Sequence, residues 1–509
     1  MTSGLSSDFP SGFTIYELPA RPYLYTLSTQ PHPLSSIPDT ALDTLASRGV
    51  HMVWLQGVWR LGTYGLEQVD KVEPGRLKSY REALVDFEMG DVIGSPYAVA
   101  ECKDVLWIDF FDTVNPELGG DEGLKEFRKR LKQRGMKLML DFVPNHVAVD
   151  SVWATQPDTQ DYFVHKPSDT SIGRGIEFDS QGRAYGRDLY SGAWIDTLQL
   201  NYWNPRLRTA MMNALLKAAS LCDGLRVDMA MLSVNSVIEQ VWGPIHRANG
   251  YTAPQTEFWL EAIQRLRSAS PSFYLMAEVY DWPNFNPPLD VQLQTMGFDA
   301  TYAKSFYDRL VNPHLDNLRS TLGADGMKMV RHVHFVENHD EVRAPVHFGG
   351  FEQAMAGAVA SLTLPGPRLM WFGQWEGKRN RLLVQLRRSY PEPIHTPTQS
   401  LYNTLVPLLA HPTMTHGTWT LETVSPEQSN TAWRLVAWKW TYSDRRLVVV
   451  NLSDTYGDGR IKLPEVEGSG GVEVLEALSG VTYQRDREEV RNKGLWVVLK
   501  PWQTQIFVY

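Results

Sequence analysis

The sequence predicts an α/β fold: a (β/α)8 TIM barrel, broken by an inserted subdomain and followed by a C-terminal antiparallel β-sandwich. Three observations predict it. Short apolar runs alternate with amphipathic helical stretches from about Phe13 to Pro412. The alternation lapses between Ala148 and Trp203, where Gly, Asp, Ser and Tyr dominate. Beyond about Thr415, short β-branched or alternating segments replace it.

The strand candidates of the first part begin with Met52-Val53-Trp54-Leu55, Lys137-Leu138-Met139-Leu140 and Leu225-Arg226-Val227. They continue with Phe273-Tyr274-Leu275-Met276, Val333-His334-Phe335-Val336 and Arg368-Leu369-Met370-Trp371. Helices are predicted over Asp39–Arg48, Gly123–Arg134, Pro205–Ser220 and Thr256–Arg267. Pro205 suits a first helical position, and Gly135 the residue after a helix end. Such repeats make a parallel sheet, either doubly wound or closed into a barrel. Two features favour closure. No Gly-x-Gly-x-x-Gly follows the first strand, so the dinucleotide fingerprint is missing. Polar residues also gather just after the apolar runs, at the end where a (β/α)8 barrel carries its active site. The stretch from Ala148 to Trp203 is too long for a structureless loop and is expected to be a small subdomain. In the last part, Thr418-Trp419-Thr420-Leu421, Trp433 to Trp438 and Leu447 to Val450 are separated by the turn signals Ser443-Asp444 and Gly457-Asp458-Gly459. Short strands at that spacing predict a sandwich. The expected division is residues 1–147 and 204–412 for the barrel, 148–203 for the inserted subdomain B and 413–509 for the sandwich.

Composition narrows the function. Apolar residues make up 43% and charged ones 21%, which excludes a disordered chain, a collagen and a coiled coil. Lys and Arg number 49 against 58 Asp and Glu, a net charge of −9, and no long basic run occurs. Nucleic acid is therefore not an expected partner. Two cysteines, Cys102 and Cys222, cannot make a disulfide framework. The opening MTSGLSSDFPSGF has no basic stretch leading into an apolar core, so no signal peptide is expected. The most apolar stretch, Ala354 to Leu364, is too short to span a bilayer. A cytoplasmic, soluble protein without membrane partners is expected, with oligomeric state open. Tryptophans in loop-like segments, among them Trp59, Trp153, Trp194, Trp203, Trp282 and Trp375, suit either core packing or stacking on sugar faces.

Four polar segments each close an apolar run. They are Asp141-Phe142-Val143-Pro144-Asn145-His146, Gly224-Leu225-Arg226-Val227-Asp228, Ala277-Glu278-Val279 and Phe335-Val336-Glu337-Asn338-His339-Asp340. A single carboxylate at a strand end is readily explained as a helix cap or an ion-pair partner. Four at corresponding places in successive units are not. Arg226 and Asp228 stand two apart, so on a strand they share a face, and the cation favours the ionised acid. An ionised carboxylate beside a carboxyl group that keeps its proton is what glycoside cleavage requires. A third could stabilise the charge developing on the sugar.

In order and spacing, these four segments resemble the signature regions of the α-amylase superfamily of retaining glycoside hydrolases and transglycosylases. The resemblance covers roughly Gly12 to Tyr509 and includes an insert after strand 3. It implies Asp228 as nucleophile, Glu278 as general acid/base and Asp340 as transition-state stabiliser. It also implies that Arg226 orients Asp228, that His146 and His339 bind the reacting sugar, and that Tyr97, in Gly94-Ser95-Pro96-Tyr97, stacks beneath it. Asp141 would pair with Arg226, and Asp196 to Asn201 would close the insert. The implied activity is hydrolysis of α-glucosidic bonds in oligosaccharides or glucans through a covalent glycosyl–Asp228 intermediate. Transglycosylation or isomerisation by the same acids stays open.

Some residues depart from the family pattern. Ala98 stands where exo-acting glucosidases usually carry an acid that clamps the terminal sugar, so strict exo-glucosidase action is not expected; plain local packing accounts for an alanine there equally well. Met231 and Leu232 replace the Lys-His pair of many starch-degrading members. No cofactor is expected and no metal belongs to the catalytic set. A structural calcium ion is left open, with Asn145 resembling a ligand and Asp188 a candidate partner. Two other classes are less well supported. His332-x-His334 would set two imidazoles on one strand face, as in metal-dependent barrel hydrolases, without further ligands to join them. A non-catalytic carbohydrate- or protein-binding member typically lacks one of the three acids, and here all are present.

Overall fold

The computed structural model describes residues 12–28, 32–67, 74–100, 114–169, 171–325 and 328–509. Its central strands are β1 (Thr14–Pro19), β2 (Met52–Gln56), β3 (Lys137–Phe142) and β4 (Gly224–Val227), followed by β5 (Tyr274–Ala277), β6 (Ala300–Tyr302), β7 (His332–Val333) and β8 (Arg368–Trp371). They pair in parallel in the order β7-β6-β5-β4-β3-β2-β1-β8, and a bridge between His334 and Arg368 closes the ring. This is the (β/α)8 barrel.

The apolar runs are continuous because both strand faces are buried. Tyr16, Leu18, Val53, Leu55, Leu138 and Leu140 pack outward under the helices. Ile15, Met52, Trp54, Met139, Met276 and Tyr302 fill the interior. Two residues further along the same inward faces come Glu17 after Ile15, Asp141 after Met139 and Glu278 after Met276. Arg226 pairs in register with Asp141 on one side and Met276 on the other, so it too faces the axis. The period of two thus turns an apolar barrel interior into a polar floor at its C-terminal end.

The helices follow their sequence signals. Pro205–Ser220 forms as expected, with Asn204 capping it by accepting from the Arg206 N–H. The helix predicted from Gly123 begins at Gly120, since Asp121 and Glu122 favour its first turn. Gly135 follows it with φ of 73°, a conformation that favours glycine. After β3, the chain forms a small antiparallel sheet of His146–Ala148, Trp194–Gln199 and Tyr185–Gly186. The C-terminal part is wholly antiparallel, with six strands in one sheet and the pair Gly457–Ile461 and Leu495–Leu499 in another. Leu447, Val449, Ile461, Val474, Val497 and Phe507 form the core between them. The other face of the large sheet lies on the barrel, where the indoles of Trp438 and Trp440 donate to Thr363. Among the described residues, no helix is long and apolar enough to cross a membrane. Cys222 is a buried free thiol, and Cys102 lies outside the described residues.

Arg368 on β8 ties these parts together. It is fully buried, and its guanidinium donates to the carbonyls of Gly12, Leu409 (3.0 Å) and Met414 (2.6 Å). Arg368→Met is expected to strand these carbonyls and to destabilise the protein by about 2–4 kcal/mol. A lower urea midpoint would show it. An unchanged midpoint would mean that the carbonyls find other donors.

Candidate active site

A cavity of about 590 Å³ opens where the inward faces become polar. That size falls within the roughly 300–1,000 Å³ common for ligand sites. Tyr97, His146, Asp228, Glu278 and Asp340 line it, together with Met229, Tyr280 and Trp194. Arg226 and His339, 0% and 2% exposed, lie beneath. The four polar segments, more than a hundred residues apart at their extremes, therefore meet in one place.

Arg226 is the centre of the floor. Its Nη1 lies 2.8 Å from Asp228 Oδ1 and 3.4 Å from Asp141 Oδ1, and its Nη2 lies 2.6 Å from Glu278 Oε2. Its Nε donates to the Tyr302 hydroxyl at 3.3 Å. One guanidinium thus sets the two carboxyl groups against its two outer nitrogens, Asp228 by a hydrogen bond from Nη1 and Glu278 as a close ion pair at Nη2. The backbone N–H of Met229, held at φ 42°, donates to Glu278 Oε2 at 2.8 Å, and the Tyr280 hydroxyl donates to Oε1 at 2.8 Å.

One buried cation cannot keep three buried carboxyl groups ionised. Burial raises Asp228 to about 6, with Asp141 and Asp340 adding to the rise and Arg226 opposing it. Glu278 goes further, to about 7, again by burial first and then by repulsion from Asp228 and Asp340, against Arg226. Asp141 is raised to about 6 for the same leading reason. Of the two carboxyl groups beside Arg226, Glu278 holds its proton more tightly. They titrate as a pair.

The rest of the site surrounds His339. Its Nε2 lies 2.9 Å from Asp340 Oδ2 and 2.8 Å from the Tyr97 hydroxyl, which also accepts from Gln56 Nε2 at 2.7 Å. Its Nδ1 lies 2.5 Å from Oε1 of Glu17. Asn338 shapes the loop by accepting from the N–H groups of Asp340 and Glu341, both at 2.9 Å. His146 packs edge-on against Trp194, and burial lowers it to about 4, so it is neutral at pH 7 and able to share its hydrogen bonds with a neutral ligand.

Other residues singled out in the sequence lie elsewhere. Ala98 does not line the cavity. It packs with Ala100 and Ala148, so local packing accounts for its size. Met231 and Leu232 are core residues. His332 pairs with Asp290 at 3.0 Å, while His334 bonds the Pro365 carbonyl, so the two imidazoles do not share a ligand. Trp59, Trp153, Trp203 and Trp375 are core, whereas Trp194 lines the cavity and Trp282 packs against Tyr190 at its rim. The oxygens proposed for calcium at Asn145 and Asp188 are engaged within the protein. Asn145 Oδ1 accepts from Gln199 Nε2 at 2.8 Å, and Asp188 Oδ1 accepts from its own turn at Tyr190 and Ser191. Among the described residues no three His, Cys, Asp or Glu side chains form a metal-binding group. Three residues on the floor escaped the sequence reading: Glu17, Tyr280 and Tyr302. The only local signal was a charged or hydroxyl-bearing residue on the inward register of an apolar run.

A closed parallel barrel with a buried carboxyl cluster at its C-terminal end is one architecture on which glycoside cleavage can be built. Residues 97–403 match the family model described as alpha amylase, catalytic domain, and the chain belongs to the alpha-amylase family. It is 22% identical over 287 residues to Alpha-amylase 3 of Dictyoglomus thermophilum, which covers 52% of each chain. It is 27% identical over 280 residues to Alpha-amylase MalA of Haloarcula japonica, covering 54% of this chain and 36% of that one. The matches thus span about half or less of those relatives' own lengths. The fold is similar to the crystal structure of an alpha-amylase from Lactobacillus plantarum, with TM-score 0.68, 19% identity and coverage of 98% and 99%.

Proposed function

We propose that the protein is a retaining glycoside hydrolase that cleaves α-glucosidic bonds in oligosaccharides or glucans. Asp228 attacks the anomeric carbon and forms a glycosyl ester while Glu278 protonates the departing oxygen. Water, deprotonated by Glu278, then releases the sugar. Asp340 stabilises the positive charge on the ring and Tyr97 lies beneath it. His146 and His339 hydrogen-bond its hydroxyls.

The observation that carries this reading is the fork of Arg226. Two carboxyl groups on the outer nitrogens of one guanidinium stand close together. Inverting enzymes need a gap of about 6.5–9.5 Å, whereas retaining ones hold their acids at about 5–5.5 Å. NMR of the first-formed product tests it, with α configuration expected. A β product would overturn the double displacement. Adding acceptor sugars to the same assay separates hydrolysis from transfer, which the same acids could perform.

The paired titration gives a second expected result. Below about 6, Asp228 gains a proton and ceases to be a nucleophile; above about 7, Glu278 loses the proton it must donate. The pH profile of kcat/KM is therefore expected to be a narrow bell peaking between these values. A plateau extending well above pH 8 would show that Glu278 is not the acid.

A further inference from the structure

Glu17 lies wholly inside the barrel, beside Trp54 and Trp371 in register on the neighbouring strands. A carboxyl group is costly to bury there, and its Oε2 has no hydrogen-bond partner. Packing does not require it: a glutamine or an apolar side chain would fill the space without the charge. What the charge meets is His339. Oε1 is 2.5 Å from Nδ1 of that ring, whose other nitrogen reaches Asp340 and Tyr97. The imidazole is a bridge between an acid below the site and an acid in it.

We propose that Glu17 is a positioning residue: by fixing a proton on Nδ1 of His339 it keeps that ring an imidazolium and its neighbour Asp340 a carboxylate. The inference rests on the role given to Asp340 above. The charged and titratable groups facing the ring are Glu17 from β1, Asp141 from β3, Arg226 from β4, and Tyr97 and Asp340 from loops. Trp54 and Trp371 close it off with rings 5.6 and 6.2 Å away. Burial would strip the proton from His339, but Asp340 and Glu17 together raise it to about 10. Burial raises Glu17 above the usual carboxylate range, Asp340 adds to the rise, and His339 and Arg226 oppose it without cancelling it. The consequence reaches Asp340. What burial it has acts upward, yet His339 outweighs this and brings it to about 2. Asp340 therefore cannot take the proton of the cluster, which stays on Glu278, where the leaving group needs it.

The test uses the full chain with labelled histidine. At pH 8, NMR is expected to show both N–H protons on the His339 ring of the wild type. In Glu17→Gln, which keeps the shape and loses the charge, the ring should titrate at least about one pH unit lower. On an aryl α-glucoside, E17Q is expected to lower kcat about 10–100-fold with KM nearly unchanged, and to cost less than about 2-fold in a His339→Asn background. Equal losses in both backgrounds, or an unmoved titration, would overturn the proposal. Should E17Q not fold, a neutral His339 in the wild type at pH 8 would do so alone. Should the wild type cleave no α-glucoside, the hydrolase reading fails, while the titration still decides the role of Glu17.

Discussion

Asp228→Asn is expected to lower kcat by about 10⁴-fold or more while leaving the fold intact. The amide is nearly isosteric, and its oxygen can still accept from Arg226 Nη1, where the carboxylate now sits at 2.8 Å. It cannot form the glycosyl ester. Stability should hold or rise, because Asp228 is a buried carboxyl group whose ionised form the surroundings disfavour. The substitution also removes one of the charges that raise Glu278, so Glu278 should titrate lower in the variant than in the wild type. Turnover assays on an activated α-glucoside, circular dichroism and a thermal melt would check the three parts. Substantial turnover by the purified variant would refute the nucleophile assignment.

Much of this site was legible in the sequence because its residues sit where local rules are strong. Pro205 and Gly135 mark helix boundaries through their own backbone preferences, independent of distant partners. Asp141, Arg226, Asp228 and Glu278 stand out as charged groups at the ends of apolar runs. Glu17 does not. It lies within a strand between apolar neighbours, and its partner is 322 residues away. Only closure of the barrel, with β1 between β2 and β8, brings it under His339. The same limit hid β6, three residues long, which is too short to show a period. At Ala98 the sequence left two readings open, and the structure favours plain packing. Its neighbour Tyr97 does reach the cavity, but a turn of the chain carries Ala98 into a small apolar cluster with Ala148. Which way a loop residue faces depends on tertiary packing, and no pattern along the chain records it.

Arg226→Lys is expected to be almost as damaging as loss of the nucleophile, although charge is conserved. Guanidinium gives Asp228 and Glu278 a nitrogen each and has Nε left for Tyr302. An ammonium group is a single point on a flexible stem and cannot hold two carboxyl groups at a fixed separation. Lysine would settle against one acid and leave the other buried and uncompensated, raising its proton affinity further. A reduction of kcat by about 10³-fold is expected, since small misplacements of reacting groups already cost about 10²-fold. The acid limb of the pH profile should also move upward as Asp228 loses its close cation. Destabilisation is the alternative cause of any loss, so the variant must be compared at a temperature where its melt shows it folded. Full activity with lysine would mean that Arg226 supplies charge alone, and the fork would no longer support a double displacement. A large loss with an unmoved acid limb would mean that Arg226 positions Asp228 without setting its ionisation.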